Sequence, residues 1–213
     1  LTHVAREEPE EAESLLEEAE SVLGDRFGGR YRAQLLRTRA RLDHLRRRFD
    51  EAETRLKEVL THFEERGERL MVAETLILLA RGALEYFRTR GERPDVFHAH
   101  DWQAGLVPVY SKALYWDDPT LHRLAAVLTI HNVAYQGQFG TEVLPALGLP
   151  RHLGLSFALG YHGGVSYLKG GTEFAEAVTT VSPTYAREIQ GDEHGFGFQE
   201  VVRSRAADVV GIL

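Results

Sequence analysis

Asp95-Val96-Phe97-His98-Ala99-His100-Asp101-Trp102-Gln103 is the stretch on which the fold turns. It follows a Gly-Glu-Arg-Pro turn at 91–94 and reads as a short buried strand, Asp95 to His100, running into a helix over Trp102 to Tyr115. A second buried strand is expected from Leu124 to His131, a third from Ala177 to Val181 and a fourth from Val209 to Leu213. Helical segments are expected at Val165 to Phe174, Pro183 to Ile189 and Phe198 to Arg205. Short apolar strands alternating with helices indicate a parallel α/β layer structure. Ligands of such sheets gather at the carboxyl ends of the strands.

Upstream the periodicity is different. From about Glu8 to Arg90 apolar residues recur at three- and four-residue spacing, as in Leu15, Leu16, Ala19, Val22 and Leu23. Pro9 suits a first helical turn, and Gly24 and Gly28-Gly29 interrupt the pattern. Further helices are expected over Tyr31 to Arg47, Asp50 to Arg66 and Glu68 to Arg90. Glu11-Ala12-Glu13 returns as Glu51-Ala52-Glu53, Ala33 as Ala73, and Ala40-Arg41 as Ala80-Arg81, each 40 positions on. Small residues at repeating sites suit a TPR-like array, with two unrelated amphipathic hairpins as the alternative. A repeat would imply a protein partner for this segment. The division expected is a helical segment over 1–78 and an α/β portion over 79–213.

Composition narrows the function classes. With 43% apolar and 27% charged residues, the 213-residue chain can build a core of one ordinary domain or two small ones. A net charge of −7 argues against general nucleic-acid binding and gives no attraction to an anionic membrane. No apolar run reaches the roughly 18–20 residues that span a bilayer, and Arg6, Glu7 and Glu8 break any signal-peptide pattern. Cysteine is absent, which excludes disulfides and thiolate metal sites and fits a cytoplasmic setting. A first residue of Leu1 and an apolar end at Leu213 give the expectation of a fragment.

Two clusters fall at strand ends. In the first, His98 and His100 share a side of the strand, and Asp101 suits the N-cap of the next helix. Two histidines and an aspartate also allow a metal reading, although no spacing supplies further ligands. In the second, His131 and Asn132 end a strand and lead into Tyr135, Gln136 and Gly137, a loop rich in hydrogen-bonding groups suited to a sugar. The plain alternative is a turn capped by Asn132. Gly163-Gly164 and Gly170-Gly171 lack P-loop or dinucleotide spacing and read as helix punctuation and close packing. Gly191 to Gly197 reads as a flexible loop.

Taken in order, 98–108 (HAHDWQAGLVP), Lys112-Ala113, 129–137 (TIHNVAYQG), 147–150 (LGLP), 168–171 (LKGG), 178–186 (VTTVSPTYA) and 209–213 (VVGIL) resemble bacterial glycogen and starch synthases. The resemblance covers about Leu79 to Leu213. It implies a partial Rossmann-like parallel sheet of a GT-B N-terminal domain, and a retaining, metal-independent glucosyl transfer from ADP-glucose to an α-1,4-glucan, with no cofactor. It places His131 and Asp101 at catalytic positions. Trp102, Asn132, Tyr135 and Gln136 are substrate-binding by the same transfer. No lysine-glycine-glycine loop like that family's precedes the match, and no second nucleotide-binding domain follows it, so the isolated chain is expected to be inactive. The competing reading is a non-catalytic helical-repeat protein joined to a degenerate glucan-binding half-domain. A sucrose synthase-like transferase fits the Tyr-Gln-Gly loop less well.

Overall fold

The structure is a computed structural model, and it describes residues 9–23, 29–150, 153 and 158–212. The breaks expected at Gly24 and Gly28, and the strand end at Leu213, lie outside the described residues. The chain divides into two compact units, Leu1–Gly82 and Ala83–Leu213.

The first unit is helical. It holds α1 (Pro9–Leu23), α2 (Gly29–Leu45), α3 (Phe49–Glu65) and the first part of α4 (Arg69–Arg90). Ala40, Ala52 and Leu56 form a core against which Leu78 and Leu79 pack. Small residues permit this approach: a Cβ on Gly82 would lie 2.4 Å from the His44 ring. Asp43 is buried and accepts from Arg48 Nε at 2.9 Å and Arg55 Nη1 at 2.5 Å, so its charge is paired on two sides. Gly67, at φ 65°, turns the chain from α3 into α4.

The second unit is built on a parallel sheet of β1 (Val96–His100), β2 (Ala125–Ile130), β6 (Ala177–Thr180) and β7 (Val209–Gly211), in that spatial order. His98 pairs with Val127 and His100 with Thr129, while Thr129 pairs with Thr179 and Thr179 with Val210. Each new strand is added on the same side of the last. Right-handed crossovers then carry every connecting helix to one face. That face is the core: Ala99, Leu128, Ile130 and Val178 meet Leu168, Ile189, Phe198, Val201 and Val202. The opposite face bears His98, His100, Thr129 and Thr179, with Val96, Val181, Val210 and Ile212 exposed to solvent.

The helix expected over Trp102 to Tyr115 is two pieces, a 3-10 turn at Trp102–Ala104 and α5 (Leu106–Ala113). Gly105 stands between them, and a Cβ there would sit 2.2 Å from the Tyr167 carbonyl oxygen. The helix expected over Val165 to Phe174 begins two residues later, as α7 (Tyr167–Phe174). Val165 instead belongs to a small antiparallel sheet of β3 (Gln138–Phe139), β4 (Gly160–Tyr161) and β5 (Gly164–Ser166). Its tight turn is His162-Gly163, both at positive φ (47° and 79°), the backbone pattern of a type I′ hairpin. Gly163 is therefore a hairpin residue rather than helix punctuation. Gly171 does serve close packing, since a Cβ on it would approach the Gly105 Cα at 2.9 Å. The short α6 (Leu144–Leu147) follows β3, and α8 (Pro183–Glu188) and α9 (Gln199–Ser204) link β6 to β7. Ser182 caps α8 by accepting from Tyr185 N at 2.9 Å, and Ser166 caps α7 through Lys169 N at 3.1 Å. No described helix is long and apolar enough to cross a membrane.

Candidate active site

At the carboxyl edge of the parallel sheet, β1 is followed by Asp101 with φ 54° and ψ −170°. That region of backbone space is essentially reserved for glycine, and occupying it costs about 1–3 kcal/mol. The side chain does not cap the turn that follows, so the N-cap reading is corrected. Asp101 Oδ1 instead accepts from His131 N at 2.8 Å and from Asn132 N at 3.4 Å. Asp101 N donates to Thr129 O at 2.9 Å. The strained residue thus ties the end of β1 to the loop leaving β2, through charge-assisted hydrogen bonds.

His131 is held from the side as well. Its Nε2 lies 3.0 Å from His100 Nδ1, and the two rings stand 5.3 Å apart. His98 stacks on His100 at 4.2 Å and bonds Thr129 Oγ1 through Nε2 at 2.6 Å. Thr129 Oγ1 in turn lies 2.6 Å from Thr179 Oγ1. The result is a polar line across three strands, with period-two spacing placing each member on one face. Desolvation pushes the His100 pKa below the ordinary imidazole range, His98 and His131 add to the effect, and Asp101 opposes it. Among the described residues no group of three His, Cys, Asp or Glu side chains is arranged to hold a metal ion. One ring nitrogen of His98 is bonded to Thr129, and one of His100 to the His131 imidazole.

The loop 131–137 is fixed by partners distant in sequence. Asn132 Oδ1 accepts from Ala134 N at 3.0 Å, the capped turn considered as the plain alternative. Tyr185 Oη accepts from Val133 N at 3.0 Å. The Gln136 carbonyl accepts from Ser166 Oγ at 2.7 Å and Leu168 N at 3.2 Å. Trp102 lies beneath the loop: a Cβ on Gly137 would meet the indole Cε3 at 2.4 Å, and Gly137 adopts φ 57°. The Trp102 ring also packs on Phe139, with centroids 6.0 Å apart. Gln136 is only 6% exposed, and its amide donates to Phe196 O at 3.0 Å while accepting from Gln138 Nε2 at 2.7 Å. Tyr135 faces solvent.

Of the six residues singled out in the sequence, Asp101, His131 and Asn132 come together through direct hydrogen bonds. Trp102 adjoins them as a loop support, Gln136 anchors a second loop, and Tyr135 projects outward. Sequence reasoning gave His100 only the metal reading and named no role for Thr129, Thr179 or Tyr185. The strand period puts His100 and Thr129 on one face, and Tyr185 lies in the 178–186 segment without any sign of its partner. The 191–197 segment, expected as a flexible loop, makes hydrogen bonds and an ion pair at several points. Gly195 N donates to Gly191 O at 2.9 Å, Arg203 pairs with Asp192 at 2.8 Å, and Tyr161 Oη donates to Gly197 O at 2.7 Å.

Comparison with known proteins gives a consistent picture. A family model described as "Starch synthase catalytic domain" matches residues 26–204. A glycogen synthase of Pseudothermotoga lettingae is 47% identical over 142 residues, which are 67% of this chain and 29% of that protein. Glycogen synthase 2 of Bradyrhizobium diazoefficiens is 52% identical over 120 residues, 56% of this chain and 24% of the relative. Among solved structures, the catalytic domain of starch synthase IV from Arabidopsis thaliana, bound to ADP and acarbose, matches with a TM-score of 0.63 and 31% identity. That match covers 68% of this chain and 30% of the plant protein. The chain spans under a third of the length of each of these relatives.

Proposed function

Since this chain belongs to the starch synthase catalytic domain family, we propose that its α/β unit forms one wall of a glucosyl-transfer site of GT-B type. The reaction is transfer of glucose from ADP-glucose to the end of an α-1,4-glucan, with retention and without a metal. The observation that carries the reading is the tie from Asp101 Oδ1 to the backbone of His131 and Asn132. It presents an imidazole, a backbone turn and an amide at one strand edge before any substrate arrives. Preorganised dipoles of this kind stabilise charge that develops in a transition state.

Within that site His131 stabilises positive charge developing on the donor sugar, through its imidazole or its carbonyl. Asp101 positions His131, since its Oδ1 accepts from the backbone N–H groups of His131 and Asn132. Asn132 and Tyr135 contact sugar hydroxyls and ring faces. Trp102 shapes the pocket floor, and Gln136 serves the site by fixing the neighbouring loop.

One wall does not enclose a reaction, and sites of this type depend on closure that excludes water. The isolated chain is therefore expected to transfer no glucose from labelled ADP-glucose to glycogen. A chimera in which residues 83–213 replace the matching segment of the Pseudothermotoga lettingae synthase should incorporate label. In that chimera His131→Ala should lower incorporation at least 100-fold, the typical scale for losing a charge-stabilising group. A folded chimera without incorporation, or one indifferent to His131→Ala, would overturn the proposal.

A TPR-like pairing of the helical unit, with a protein partner on it, is a separate part of the reading. Its support is that Ala12 and Ala52, Ala33 and Ala73, and Ala40 and Ala80 are all buried. A cytoplasmic setting belongs to the same proposal, supported by a sequence without cysteine, and cell fractionation checks it.

A further inference from the structure

Three non-glycine residues of the α/β unit have positive φ among those described: Asp101, His162 and Phe196. Backbone strain of this kind persists only where surrounding structure enforces it, and it clusters at functional sites. Asp101 is accounted for above. Phe196 is not, and it is the costlier choice, because bulky residues are true outliers at positive φ.

Phe196 sits at φ 50° between Gly195 and Gly197, the latter at φ 82°. A glycine would adopt this turn freely, yet a phenyl ring stands there and is 63% exposed. Core packing thus does not explain it. The turn is clamped on both sides. Gln136 Nε2 donates to the Phe196 carbonyl at 3.0 Å, and Tyr161 Oη donates to the Gly197 carbonyl at 2.7 Å. Gln136 is itself fixed by Gln138, and its chain neighbour Tyr135 is 65% exposed. Tyr161 leads directly into the strained hairpin residue His162, whose ring lies 4.2 Å from its own. One buried amide therefore links two solvent-facing aromatic residues on separate loops.

We propose that Phe196 and Tyr135 form an aromatic platform for sugar rings of the glucan acceptor beyond its reacting end. The apolar face of a pyranose packs on an aromatic ring, and stiff rings make such contact at small entropic cost. The surrounding sequence favours a neutral polyol over a phosphate, since neither 135–140 (YQGQFG) nor 193–199 (EHGFGFQ) contains lysine or arginine. The inference rests on the glucosyl-transfer reading but extends it to a residue that reading does not use.

The test is native electrophoresis of the full 213-residue chain through gels with and without glycogen. Phe196→Gly is the informative variant, because glycine fits the backbone and the turn survives without the ring. Trp116→Ala, which removes another exposed aromatic (67%), is the control. Glycogen should retard the wild type and the Trp116 variant equally, and maltoheptaose in the gel should release both. Phe196→Gly should raise the apparent Kd for glycogen about five- to tenfold, the scale of one aromatic contact. Retardation of Phe196→Gly within twofold of wild type would overturn the platform while glucan binding stood. An unretarded wild type would also overturn it, and the Asp101–His131 reading would still be decided by label incorporation in the chimera.

Discussion

At the scale of single residues, the site combines strain with crowding of like groups. Asp101 accepts an unfavourable backbone so that one carboxylate oxygen meets two N–H groups on the next strand's loop. His100 lies between His98 and His131, and its pKa is lowered first by desolvation and then by those two rings, with Asp101 opposing. The unfolded chain, with His100 near about 6.5, binds that proton at a higher pH than the folded chain does. Stability must then fall as pH drops through about 6.5, and the loss is complete once folded His100 is itself protonated. Above that range its stabilising share is fully present. Replacing His100 with glutamine should flatten this pH dependence, read from urea midpoints between pH 7.5 and 5. An unchanged slope would mean His100 does not carry it.

At the scale of elements, the parallel strands were legible because each is a short apolar run, and the first two end in polar residues. Asp95 to His100 became Val96–His100, and Leu124 to His131 became Ala125–Ile130. The antiparallel sheet was not legible, for a physical reason. Strands of two or three residues have no period, and the decisive turn is His162-Gly163 rather than a familiar Asn-Gly pair. The candidate site was half legible. The adjacency of Asp101, His131 and Asn132 followed from two strand ends in one sheet, whereas the roles of Tyr185, Tyr161 and Gln136 depend on partners 36 to 60 positions away. If α2 and α4 carry equivalent sites, Ala40→Leu and Ala80→Leu should each cost about 1–3 kcal/mol by overpacking. Thermal or urea unfolding should give costs that agree to within about 0.5 kcal/mol. A gap above about 1 kcal/mol would make the 40-residue spacing coincidental.

At the scale of the whole molecule, acidity and patterning agree. A net charge of −7 keeps copies apart at neutral pH, and exposed ion pairs such as Lys57–Glu53 and Arg203–Glu200 are individually weak. The sheet order β1-β2-β6-β7 has a less obvious effect. Sheets made only of parallel strands are normally covered on both faces. Here one face carries the helices, while the other leaves Val96, Val181, Val210 and Ile212 in contact with water. Handled as a purified polypeptide, the chain should therefore be sticky: it should bind the dye ANS while fully folded and scatter more light as its concentration rises. Val210→Lys should reduce both signals with unchanged circular dichroism, and equal dye binding by the variant would show that the stickiness arises elsewhere. Screening of the acidic charge by salt should make the wild type worse, so the colloidal behaviour of this chain is set by exposed apolar side chains at the sheet's margin that repulsion only partly guards.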